Sequence, residues 1–440
     1  KFHARAPVPR LIFLPAWTVR VSHRHHEVLM PFLSGTVSFS RFRIAGGGPK
    51  RLDDNLLEKF RERRIGTDRV LRSDNVEAGW IGGRHLLDLD FDIEKNVLLD
   101  CLHLGMRIDA SRVPPDLLRA YYQLELDSLH RDSGNGNGRN MGKLRKQAKD
   151  AANKRAEQEV KQGRYRSLRQ SPLLLDSRDD VLYVGATTPA VHERLHQLFK
   201  DTFGKRLEPM TAGHRAYAWG EEKGLSRKIE NLPPTLFVDP AEQHGEPEVY
   251  WTSGDPHSRD FLGNEFLLWL WFHLSEREDT IKLSDGTEAT VMIFKHLTLE
   301  CPRAQTGKEV ITCEGPTSLP EAKRAIQAGK LPRKAGLIVS RQGDQYFFIL
   351  QAESFNVSGG VLPKLEDRLG DRGNGHSNGN GNGRARHEER IEQIRHLAQT
   401  IDLVYAAFLE RRLGLEWKRE TEEIRNWLSV RGEALTTRTA

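Results

Sequence analysis

Cysteine is scarce in this 440-residue chain, long apolar runs are absent, and none of the common catalytic signatures can be found in it. The three cysteines, Cys101, Cys301 and Cys313, form neither a CxxC pair nor an even framework. That excludes a disulfide-stapled secreted scaffold, and they read as reduced thiols of a cytosolic protein. Cys301 and Cys313 with His296 do not match the spacing of a zinc site. No stretch approaches the roughly 18 apolar residues that a transmembrane helix needs. GxxxxGK[ST], GxSxG, HExxH and a strand-following GxGxxG are all missing. Thr306–Gly307–Lys308 lacks the upstream glycine of a phosphate loop.

Positive charge is abundant, and it is concentrated. Between Arg139 and Arg169 stand eleven lysines and arginines against three acids, Asp150, Glu157 and Glu159. The segment's net charge of +8 exceeds the +6 of the whole chain, so the remainder is slightly acidic. With a pI near 9.1, such a distribution marks a surface for a polyanion: nucleic acid first, an acidic membrane surface second.

Local propensity predicts a helix there. Ala, Lys, Arg, Gln and Glu dominate from Met141 to Lys161, and neither proline nor a further glycine intervenes between Gly142 and Gly163. Its apolar stripe is thin (Leu144, Ala148, Ala152, Ala156 and Val160), so the helix should bury little and project as an arm. A solvated helix laced with salt bridges is the competing reading, but the segment's acids are too few to pair its bases.

The length suffices for two or three domains with proper cores. Residues 1–29 lack periodicity and read as a disordered leader before a translation start at Met30; a transit peptide and a secretion signal are the competitors. His23–His26 within them read as a tract without a native metal site.

Residues 30–210 form an N-terminal α+β domain containing the arm. SGTVSFSRFRI predicts a half-buried strand, Leu52–Phe60 a helix, Gly79–Gly83 a second strand and Asn96–Ile108 a third. After Pro114–Pro115 comes a strand or helix through Leu126, then a flexible GNGNG joint at 134–138. SPLLLDS and DVLYVGA pair around Ser177–Asp180, and Pro189 opens a helix that Gly204 stops.

Residues 211–365 form a second α+β domain. Phe261–Trp271 is apolar nearly all round and reads as a buried core helix rather than a base-stacking platform. Hairpins are centred on Asp285–Gly286 and Gln342–Asp344, with a short glycine-capped helix at Leu319–Gly329 between them. Residues 366–385 are an Asn/Gly-rich linker. Residues 386–440 form C-terminal helices, for which docking on the chain's own body and pairing with a second subunit are both open. The fold class is α+β: antiparallel sheets with packed helices, an inserted basic helical arm and a helical C-terminal appendage.

Asp88, Asp90 and Asp92 alternate in LLDLDFDIE, which would place three carboxylates on one strand face. Such an array could serve a metal-dependent nuclease or phosphodiesterase, although a solvated strand face explains it as simply.

The order of these elements resembles the bacterial recombination-associated RdgC family. The resemblance runs over roughly Met30–Leu365 through SGTVSFSRFRI, Gly79–Trp80, the 139–169 arm, DVLYVGA, the Pro189–Phe203 helix and the Ala328–Gly329–Lys330 step. FLGNEFLLWLW is similar to a segment in a divergent branch. The resemblance implies a protein without catalytic activity or cofactor, forming a ring-like homodimer that encloses double-stranded DNA and restrains recombinase-driven strand exchange in the cytoplasmic nucleoid. Phosphate contacts are expected from Arg139, Lys143, Arg145, Lys146, Lys149, Lys154, Arg155, Lys161, Arg164 and Arg166 on the arm, with Lys330, Arg333 and Lys334 as a second patch. The competing functions are the metal-dependent nuclease and an adaptor binding acidic protein or RNA partners.

Overall fold

The computed structural model describes residues 32–67, 76–132, 141–237, 258–301, 307–363 and 381–429. The leader, the 134–138 joint, Arg139 and most of the Asn/Gly-rich linker lie outside them. Among the described residues the fold is α+β, with eleven α-helices and one thirteen-stranded sheet whose strand pairings are antiparallel.

Strand β1 (Val37–Ile44) is predicted to be half-buried, but it is covered on both faces. Val37 and Phe39 enter one core, while Phe42 and Ile44 enter another on the opposite side. Helix α1 (Asp54–Glu62) begins where the Asp53 carboxylate accepts the Leu56 amide at 3.0 Å. Strand β2 (Val76–Ile81) follows. The predicted single strand over Asn96–Ile108 is instead three elements: helix α2 (Ile93–Asn96), strand β3 (Val97–Leu98) and strand β4 (Cys101–Ser111). The chain reverses between β3 and β4 through Leu99, whose φ of 55° a continuous strand could not contain.

The stretch after Pro114 is helical: α3 (Pro115–Asp132), with proline in its first turn. Helix α4 (Met141–Lys161) follows. Strands β5 (Arg166–Asp176) and β6 (Val181–Val184) form the hairpin anticipated around Ser177–Asp180. Helix α5 (Pro189–Phe203) stops at Gly204, which takes the left-handed conformation at φ 66°. With α1 it covers the Phe42 side of the sheet through Leu195, Leu198 and Phe199.

Strand β7 (Leu207–Pro209) returns beside β1 and leads into α6 (Ala212–Lys223) and α7 (Ser226–Glu230). Helix α8 (Phe261–Glu276) is buried continuously from Phe261 to Phe272, so FLGNEFLLWLW is core and not a stacking platform. Strands β8 (Thr280–Lys282), β9 (Glu288–Glu300) and β10 (Lys308–Ile311), helix α9 (Pro320–Gln327), and strands β11 (Leu331–Arg341), β12 (Asp344–Gln351) and β13 (Val357–Val361) complete the sheet. Its main path runs β10-β9-β11-β12-β13-β1-β6-β5-β4-β2.

The C-terminal helices dock on the chain's own body. In α10 (Gly381–Arg412), Ile391, Ile394, Leu397, Ile401, Val404 and Phe408 join the core shared with α8 and β1. Helix α11 (Trp417–Ser429) adds Trp417, Ile424 and Trp427. Buried arginine–carboxylate pairs fix α10 at three points. Arg41 of β1 is bidentate to Asp402 at 2.8 Å, Arg395 holds Asp176 of β5 at 2.6 Å, and Arg412 holds Glu265 of α8 at 2.6 Å.

Two substitutions test this packing. Gly263→Ala would set a methyl group 1.8 Å from the Ala352 carbonyl oxygen and should cost about 2–4 kcal/mol in urea unfolding. Arg395→Met would strand the fully buried Asp176 carboxylate and should cost about 3–5 kcal/mol in the same measurement. A loss below about 1 kcal/mol in either variant would contradict the packing described.

Candidate nucleic-acid interface

The basic segment forms one half of a helical hairpin. Strands β4 and β5 pair in register from Cys101–Asp176 out to Ser111–Arg166, and the outer end of β5 is exposed. From that extension α3 runs outward and α4 returns. Ala148, Ala152 and Ala156 are buried in α4, as is Tyr121 in α3, so small side chains let the two helices pack closely.

The base of the hairpin is a polar knot. Glu159 accepts hydrogen bonds from the Tyr165 hydroxyl at 2.5 Å and the Tyr121 hydroxyl at 2.7 Å, and Arg164 approaches it at 3.2 Å. The tyrosine hydroxyls, with Arg164 and Arg155 adding charge, hold the Glu159 carboxyl below the usual range. The Arg155 guanidinium lies over the Tyr121 ring, 4.2 Å from its centroid. One strand further in, Asp109 takes both Arg107 and Arg166. Arg107 and Asp109 are two apart on β4 and share a face, a spacing visible in the sequence. The Tyr121–Glu159 contact joins segments 38 residues apart and leaves no local signature.

The expected contact residues thus divide. Lys143, Arg145, Lys146, Lys149, Lys154 and Lys161 are exposed on α4 and make no ion pair among the described residues. Arg155, Arg164 and Arg166 are also exposed, but each is engaged with Glu159 or Asp109. At about 100° per residue the unpaired cations fall into two groups: Arg145, Lys146 and Lys149 lie to one side of the buried stripe, and Lys143, Lys154 and Lys161 lie on the face opposite it. From Lys143 to Lys161 the array spans roughly 27 Å of helix axis.

The second expected patch is not a free basic surface. Lys330 is buried and paired with Glu309, and Arg333 bridges Glu353 at 3.0 Å and Glu300 at 3.1 Å. Lys334 is partly buried on β11. Strand pairing brings those acids alongside, which linear spacing could not reveal.

The aspartate array is also corrected. Residues 82–92 form a loop, so Asp88, Asp90 and Asp92 do not share a strand face. Asp88 is buried against Lys95 at 3.0 Å and accepts the Arg84 and Asp90 amides. Burial alone would raise its carboxyl, but Lys95 and those amides hold it below the usual range. Asp92 caps α2 by accepting the Glu94 amide at 2.8 Å, and Asp90 is exposed. Elsewhere Asp100, Cys101 and Asp176 stand at metal-like separations. The Arg395 guanidinium already supplies the positive charge among them, donating to both carboxylates and, at 3.0 Å, to the Cys101 sulfur. Cys101, Cys301 and Cys313 are all free thiols.

Neither a protein-family model nor a curated protein matches the chain. No helix among the described residues is long and apolar enough to cross a membrane.

Beside the 82–92 loop, His103 is buried in β4 with its Nε2 atom unpartnered, and burial pushes its pKa down to about 4, with His387 adding to the effect. It is therefore neutral in the folded chain at pH values where an unfolded histidine is protonated. Stability should fall as pH drops from 6.5 to 4, by about 3 kcal/mol from this group. Urea unfolding across that window should show a shallower slope for His103→Gln; an unchanged slope would remove His103 as the cause.

Proposed function

We propose that the protein binds double-stranded DNA through the α4 arm, without catalytic activity and with little sequence preference. The observation that carries this reading is the row of six exposed, unpaired cations on α4, which only Asp150 and Glu157 face as exposed acids on the same helix. Long lysine and arginine side chains on a projecting rod reach phosphates from its side and from its outer face. Displacement of condensed counterions then supplies sequence-independent affinity. The polar knot at the hairpin base fixes the direction of the rod, so the charges meet DNA as an ordered array.

The succession of elements resembling RdgC supports placing this binding in homologous recombination, in the nucleoid, by a homodimer that encloses the duplex. A metal-dependent nuclease finds less support, because Asp88 is bound to Lys95 and Asp92 to a helix terminus.

Fluorescence anisotropy of a labelled random-sequence duplex across a salt series tests the proposal. Each phosphate contact contributes about 0.9 to the slope of log K against log salt, so changing Lys143, Lys146, Lys149 and Lys154 to glutamine should reduce the slope by about 3 to 4. An unchanged slope would show that the arm is not the DNA surface. The labelled duplex should stay intact on incubation with Mg²⁺; its cleavage would favour the nuclease.

A further inference from the structure

The flank of α4 that carries Arg145, Lys146 and Lys149 has a property that phosphate binding does not use. An open groove of about 630 Å³ lies between α3 and α4 there. Leu118 and Tyr122 of α3 and Ala152 of α4 form its floor, with Pro115 at one end. Arg119, Arg145, Lys146 and Lys149 form its rim, and no carboxylate lines it. Asp116 pairs with Arg119 at 3.0 Å from outside the groove, with both side chains largely in water.

We propose that this groove docks an acidic peptide segment of a partner protein. One large apolar side chain would sit on Leu118 and Tyr122, with flanking carboxylates meeting Arg119, Arg145, Lys146 and Lys149. The floor and the rim together select this occupant. A phosphate or sugar gains nothing from an apolar floor. A nucleobase buried there would turn its polar edge toward Leu118 and Ala152, with Asn153 the neutral amide available among the lining side chains. An apolar side chain loses no hydrogen bond on entering, and acids beside it complement a rim of uniform sign. Arg145, Lys146 and Lys149 belong to both surfaces, so the acidic segment would displace duplex from this flank and leave Lys143, Lys154 and Lys161 available. That competition rests on the duplex reading; the docking itself does not.

The test uses the full chain and two short fluorescein-labelled peptides of aspartate and glutamate, one with a central leucine and one with serine in its place. The leucine peptide should bind about tenfold more tightly, the gain expected from burying one aliphatic side chain. The Leu118→Ser/Tyr122→Ser variant should lose that preference while keeping its helical circular dichroism and, within about twofold, its duplex affinity. Lys146→Gln/Lys149→Gln should weaken both peptides. Equal binding of the two peptides by the wild type would overturn the proposal, as would a leucine preference that survives in the serine variant. It would also be overturned if single-stranded DNA, and not the peptide, lost affinity on removal of Leu118 and Tyr122, since the groove would then be a base site. Failure of duplex binding with the leucine preference intact would overturn the DNA reading and leave the docking standing.

Discussion

Strand β1 is where the two portions of the sheet meet, and its two edges are shared out along its length. Val37 and Phe39 pair with β13, Ser40 to Arg43 pair with β6, and Phe42 to Ile44 also pair with β7. Its faces line two cores, Val37 and Phe39 in one and Phe42 and Ile44 in the other, and Arg41 is buried with them. Asp402 of α10 meets that guanidinium in a bidentate pair, and Arg215 of α6 reaches the same carboxylate at 2.7 Å. Burial alone would raise the Asp402 carboxyl, but Arg215 and Arg41 hold it below its usual range. Removing the carboxylate would leave the buried Arg41 cation unpaired, a cost of several kcal/mol. The position of α10 across the sheet depends on that pairing.

The same principle separates structural from functional charge across the molecule. Arginines inside are matched by carboxylates brought from distant sequence: Arg395 by Asp176, Arg412 by Glu265, Arg333 by Glu353 and Glu300. At the hairpin base the matching is partial, with Glu159 shared by Arg155 and Arg164. Along α4 it ceases. The gradient from paired to unpaired follows from packing, since buried cations must be neutralised whereas exposed ones need not be. The unmatched lysines are therefore the ones whose charge stays in solvent.

Elements defined by local chemistry were legible in the sequence. Helix α4 coincides with the Met141–Lys161 prediction, and α8 is buried on every side, as its unbroken apolar run requires. The glycine stop of α5 and the turns at Asp285–Gly286 and Gln342–Asp344 carry their own signals. What the sequence concealed is relational. Alternation along β1 suggested one wet face, because odd and even residues supply different cores. The Asp88–Asp92 spacing mimicked a strand, since a loop with a helix cap also uses aspartates. Lys330 and Arg333 looked like a patch because Glu309, Glu300 and Glu353 reach them only through the fold.

The internal packing of the arm and its external charge occupy different sides of one helix. Alanines at 148, 152 and 156 bring α4 against α3 without consuming the long basic side chains of the same helix. Larger residues at those positions would force the helices apart and widen the groove floored by Leu118 and Tyr122. Acids at i±4 from the lysines would retain the helix but neutralise its flanks. A poly-alanine seam with basic flanks thus satisfies two demands together: a hairpin narrow enough to project, and a surface whose charge is not spent within the molecule. Its two groups of cations are not equivalent, because only Arg145, Lys146 and Lys149 border an apolar groove. A polyanion sensed through charge alone can use both, whereas a ligand with an apolar group is confined to one.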